Sequence, residues 1–143
     1  MTPESLCKSG LEFGEQSALF CWLNSAETRQ RFPILYNEEN KRCKVYGVTQ
    51  NFTDPVKGAR AKQIGIQSGV PDIFVPLARH GVHGLYIELK IDPEHPVNKP
   101  KKKKNGASDE QKQFGRQVIK DGFGWCVACG WQAAKEIIEQ YLQ

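Results

Sequence analysis

Gly69-Val70-Pro71-Asp72-Ile73-Phe74-Val75-Pro76-Leu77, followed after a polar turn by Leu85-Tyr86-Ile87-Glu88-Leu89-Lys90-Ile91, decides how this chain is read. Residues 72 to 77 are apolar on both faces after Asp72, the pattern of a strand inside a covered sheet. Arg79-His80-Gly81-Val82-His83-Gly84 supplies a turn. The next run alternates, with Leu85, Ile87, Leu89 and Ile91 on one side and Tyr86, Glu88 and Lys90 on the other. One face is core and the other carries chemistry. Strand geometry sets Glu88 and Lys90 on the same face, about 6.6 Å apart at roughly 3.3 Å per residue. A tight turn brings Asp72, at the head of the preceding strand, toward them. Two carboxylates converging on one point repel unless a divalent ion sits between them, and Mg²⁺ prefers one or two carboxylates plus waters and phosphate oxygens. A lysine beside such an ion orients an attacking water and stabilises charge growing on phosphoryl oxygens. The competing reading is an ordinary surface strand with Glu88 and Lys90 solvated. Asp72 weighs against it, because Pro-Asp, a spacer and then Glu-x-Lys is more specific than the last two residues alone.

Outward from this centre, the apolar residues Leu19, Trp22, Leu23 and Ala26 fall on one helical face, which predicts an opening helix from Glu15 to about Arg31. Phe32 to Tyr36 reads as a short strand, turned by Asn37-Glu38-Glu39-Asn40 into a second near Cys43 to Val48. A short helix inside a loop is expected between Asn51 and Gly69. Residues 92 to 107 hold three prolines, a lysine run and Asn105-Gly106, marking a long exposed loop. Ser108-Asp109-Glu110-Gln111 has the N-cap chemistry of a helix that Phe114, Val118 and Ile119 carry to Gly122. Phe123 to Cys129 reads as the last strand and Gln132 to Leu142 as the last helix.

At 143 residues the chain has room for one domain. No apolar run approaches the roughly 20 residues that cross a bilayer. Met1 to Gly10 does not read as a secretory signal, so a cytoplasmic location and reduced thiols are expected. Net charge is +4, and without the five lysines 99 and 101 to 104 it would be −1. Such a run is commonly a solvated, self-repelling loop. Beside a cation site that handles phosphoryl oxygens, Lys99, Lys101, Lys102, Lys103 and Lys104 would instead give sequence-independent, salt-sensitive grip on a polyanion.

These pieces together resemble the VRR-NUC domain, a branch of the PD-(D/E)XK nuclease superfamily found in phage and bacterial stand-alone proteins and in a eukaryotic DNA-repair nuclease. The likeness is carried by Glu15-Gln16 and Ala18-Leu19-Phe20, by Asn37, and by Lys62-Gln63-Ile64-Gly65 leading into Gly69-Val70-Pro71-Asp72. It continues through residues 83 to 90 (HGLYIELK), Ser108-Asp109-Glu110-Gln111 and residues 130 to 136 (GWQAAKE). It implies a restriction-endonuclease-like α/β fold over residues 1 to 143, a central mixed sheet flanked by the first helix and the Ser108 to Asp121 helix. It further implies Asp72 and Glu88 as ligands of Mg²⁺ or Mn²⁺, the backbone carbonyl of Leu89 as a third, and Lys90 as the catalytic lysine. Gln111 is expected near the site, and Glu15 is expected as the first-helix acid that binds a metal-bound water or a second ion. Two alternatives stay open: Gln111 serves a capping box, and Glu12, one turn away, takes the place of Glu15. The implied activity is hydrolysis of DNA by a homodimer acting on branched substrates such as Holliday junctions. A flap-cleaving or exonucleolytic enzyme, and a DNA-binding module without chemistry, are the rivals. Asn37-Glu38-Glu39, where relatives often have Asn-Gly-Gly, and the length of the lysine loop depart from the family pattern.

Other signals are set aside. Cys126 and Cys129 lie three apart in a predicted strand, pointing to opposite faces, with no second pair to complete a zinc site. His80 and His83 are expected to be loop residues, and Trp22, Trp125 and Trp131 core or partner contacts.

Overall fold

The computed structural model describes residues 1–48, 54–99 and 106–143. In chain order its elements are α1 (Pro3–Leu6), α2 (Glu12–Leu23), α3 (Ala26–Arg31), β1 (Tyr46–Gly47), α4 (Pro55–Gln63) and β2 (Ile73–Val75). β3 (Leu85–Lys90), α5 (Asp109–Lys120), β4 (Gly124–Cys129) and α6 (Trp131–Tyr141) follow. The strands form one sheet in the order β1-β2-β3-β4, with the first two pairings antiparallel and the last parallel.

Alternation in β3 sorts the layers. Ile87 and Leu89 face a buried cluster with Leu19 and Leu23 of α2 and Ala134 and Ile138 of α6. On the other face Tyr86 meets Phe114 of α5 edge-on, ring centroids 5.2 Å apart. α5 lies close to the sheet because Gly115 has no side chain, and a Cβ there would stand 2.5 Å from the Trp125 ring. Helices thus cover both faces of a mixed sheet, as expected for this α/β class. Among the described residues no helix is long and apolar enough to cross a membrane.

Several expectations need correction. The opening helix is two, α2 and α3, because the Ser25 side chain accepts from the Thr28 N–H and starts a new helix after Asn24. Phe32 to Tyr36 is not a strand: Pro33 fixes its φ, residues Pro33–Leu35 form a 3₁₀ turn, and only the Tyr36–Cys43 bridge remains of the hairpin. β1 pairs instead with β2. The expected short helix is α4, capped by Asp54. The loop after β3 is not wholly exposed, since Asn98 is buried and its Nδ2 donates to the carbonyls of Gly10 and Asp92. Lys99 ion-pairs with Glu94 at 3.3 Å, while Lys101 to Lys104 lie outside the described residues.

Candidate active site

A cleft of about 440 Å³ opens where β2, β3 and the starts of α2 and α5 meet. Glu12, Lys62, Asp72, Glu88, Lys90 and Gln111 line it. Asp72 sits one residue before β2, and its Oδ2 accepts from the Leu89 backbone N–H at 2.8 Å. That bond ties the carboxylate to β3 beside Glu88. The side chains of Asp72 and Glu88 therefore meet across neighbouring strands, as β3's alternation requires.

Glu88 is 3% exposed. Its Oε1 accepts from Gln111 Nε2 at 2.8 Å and lies 3.6 Å from Lys90 Nζ. Its Oε2 is buried with no hydrogen-bond donor among the described residues. Burial pushes the Glu88 carboxyl up to about 8; the Asp72 charge adds to the rise and the Lys90 ammonium opposes it. A carboxylate held this way lacks a positive partner for its second oxygen, and desolvation without compensation is costly. The donor set fits a hard divalent cation: two carboxylates side by side, one with an orphaned buried oxygen, open to a cleft with room for water and phosphate. Among the described residues no three His, Cys, Asp or Glu side chains form a closed metal cage. An open site completed by water and substrate is what the geometry offers.

The two roles open to Gln111 hold together. Ser108 N–H donates to Gln111 Oε1 at 2.7 Å and Ser108 Oγ accepts from the Gln111 N–H, a full capping box for α5. Fixing the amide oxygen on the cap turns the NH₂ group toward Glu88.

Glu15 is not in this cleft. It is 2% exposed and its Oε2 accepts from the Trp131 N–H at 2.7 Å. α6 begins there after Gly130, which has no side chain to cap it, so Glu15 satisfies a free N–H at the positive end of that helix. The acid that α2 presents to the cleft is Glu12 in its first turn, raised by burial and lowered by Lys90.

Lys62, to which sequence reasoning assigned no role, enters the cleft wall from α4. His80 and His83 do not line the cleft: His80 Nε2 lies 3.0 Å from the Tyr141 carbonyl oxygen and His83 packs edge-on against Phe123. The five cysteines are free thiols, and burial pushes Cys126 up to about 12. Trp22 and Trp131 belong to the core.

Sheet order, flanking helices and a carboxylate pair at adjoining strand ends define a PD-(D/E)XK-like α/β fold. Among solved structures, the chain is similar to one described as a VRR_NUC domain protein, with a TM-score of 0.65 over 92% of this chain and 88% of that one. Sequence identity is 22%, so the likeness is one of fold, and this chain shares the VRR-NUC fold. No family model matches the chain, and no curated protein does.

Proposed function

We propose that this protein is a metal-dependent endonuclease that hydrolyses DNA phosphodiester bonds, with branched DNA such as four-way junctions as its substrate. The observation that carries the reading is Glu88 Oε2, a buried carboxylate oxygen without a donor among the described residues, beside Asp72 in an open cleft. The shared fold and the motif resemblance support it.

Asp72, Glu88 and the Leu89 carbonyl would hold Mg²⁺ or Mn²⁺, with Glu12, rather than Glu15, acting through a water. When bound, the ion acts as a Lewis acid on the phosphoryl oxygen and lowers the pKa of a coordinated water. The chain's own groups do the remainder. Lys90, kept near Glu88 Oε1, directs its ammonium at the scissile phosphate and orients the attacking water. Gln111 holds Oε1 and so would leave Oε2 to the ion. Lys99 and Lys101 to Lys104 would add sequence-independent grip on the phosphate backbone. A homodimer places two such sites about a twofold axis, which suits symmetric cutting of paired strands.

A cleavage assay on linear, flap and four-way-junction DNA with Mg²⁺ or Mn²⁺ tests this directly. Wild type is expected to cut the junction and to stop in EDTA. If Asp72→Ala cuts as fast as wild type, the site is misassigned; if junction DNA is cut no faster than linear DNA, the branched-substrate part fails alone.

A further inference from the structure

α4 supplies one stretch of the cleft wall, next to Glu12 of α2 and the loop of residues 66–70. Three of its nine residues, Lys57, Arg60 and Lys62, are cationic and exposed, and the helix itself contains no acid. None of the three forms an ion pair with any described residue. Gly58, Ala61 and Lys62 line the same cleft as Asp72, Glu88 and Lys90. Like charges one turn apart on a short helix repel and slightly destabilise it, so folding alone gives no reason to collect them there. Glu12 and Glu88 have Lys90 as their neighbouring cation. Gly58 and Ala61 keep the wall low, leaving space for a sugar-phosphate chain between the helix and the carboxylates. The loop run Lys99 to Lys104, in contrast, begins with a lysine already paired to Glu94.

From these observations we infer that α4 is a phosphate-gripping wall for the substrate strand. Lys62 holds a phosphate next to the scissile one, and Lys57 and Arg60 take phosphates further along the strand. The inference rests on the nuclease reading for its ligand, a nucleic-acid backbone, and assigns part of its grip to α4.

The test is fluorescence anisotropy with a labelled DNA duplex and a labelled single strand, in EDTA to prevent cutting, over a series of KCl concentrations. Proteins compared are wild type, Lys62→Ser, Lys62→Arg, the triple variant K57S/R60S/K62S, and Lys120→Ser as a control at the far end of α5. Every phosphate that a variant no longer neutralises flattens the slope of log affinity against log salt by about 0.7 for single strands and 0.9 for duplex. The triple variant is therefore expected to lose about two to three units of slope, Lys62→Ser about one, and Lys62→Arg and Lys120→Ser almost none. A triple variant whose slope matches wild type overturns the proposal; should it fail to fold, an unchanged slope in Lys62→Ser does so. The two readings fail separately. If wild type never cleaves DNA with Mg²⁺ or Mn²⁺ yet the slopes change as stated, the grip stands and the nuclease reading falls. If wild type cleaves and the slopes do not change, the grip falls alone.

Discussion

Replacing Glu88 by Gln should make the metal-free protein more stable at neutral pH while abolishing its metal site. Glu88 is 3% exposed and its carboxyl is raised from 4.5 to about 8, so the folded state holds that proton more tightly than the unfolded chain. Its contribution to stability is complete below pH 4.5 and is lost as pH rises through about 8. The loss accumulates at about 1.4 kcal/mol per pH unit, giving on the order of 3 kcal/mol by pH 7 as an upper figure. Glutamine keeps the shape, still accepts from Gln111 through its amide oxygen, and carries no charge. Glu88→Gln should thus gain about 1 to 3 kcal/mol over wild type at pH 8 and little or nothing at pH 4.5. Thermal unfolding followed by circular dichroism in EDTA at several pH values measures this. The Glu12 and Glu15 carboxyls are raised as well, by burial, so wild type alone falls for three reasons, and the wild-type-to-variant difference isolates Glu88. A difference that stays flat from pH 4.5 to 8, or a variant less stable than wild type at pH 8, would refute the reasoning. Either would mean that the Lys90 ammonium outweighs burial and Asp72.

Four further outcomes follow from the geometry. Glu15→Ala should lower stability by about 1 to 3 kcal/mol, since it leaves the Trp131 N–H buried and uncapped, and should leave Mn²⁺ affinity unchanged by calorimetry. Glu12→Ala should do the reverse, weakening Mn²⁺ binding about 10- to 100-fold with little change in unfolding temperature. Gln111→Ala should reduce both stability, by about 1 kcal/mol through the weakened cap, and cleavage rate, whereas Ser108→Ala should reduce stability alone; equal rates in the two variants would dismiss the Gln111–Glu88 hydrogen bond. Gly115→Ala should destabilise by about 1 to 3 kcal/mol in a urea titration, because the new methyl meets the Trp125 ring at 2.5 Å.

What was legible in the sequence was local or strictly periodic. The alternation of residues 85 to 90 placed Glu88 and Lys90 on one face, and Ser108-x-x-Gln111 announced the start of α5; the folded chain has both. Asp72 was legible because Pro71-Asp72 opens the strand that pairs with β3. Two local signals were overlooked. Asn24-Ser25 already contained the cap that divides the opening helix, and Pro33 already spoke against a strand from 32 to 36. The choice between Glu12 and Glu15 was different in kind. One turn of α2 separates them, and which one meets the cleft depends on how that helix crosses the sheet and where α6 begins, both tertiary facts. Lys62 likewise gains meaning only when α4 is laid across the cleft, some ten residues before Asp72 in sequence.

The central claim is that Asp72 and Glu88 share one divalent cation. A crystal structure of the protein grown with Mn²⁺, with anomalous data collected, tests it most directly. The account predicts an anomalous peak about 2.0 to 2.3 Å from a carboxylate oxygen of each residue, with Glu88 Oε2 among the ligands. A peak instead beside Glu15 and Asp92, or none at the Asp72–Glu88 pair while the ion binds elsewhere, would contradict it.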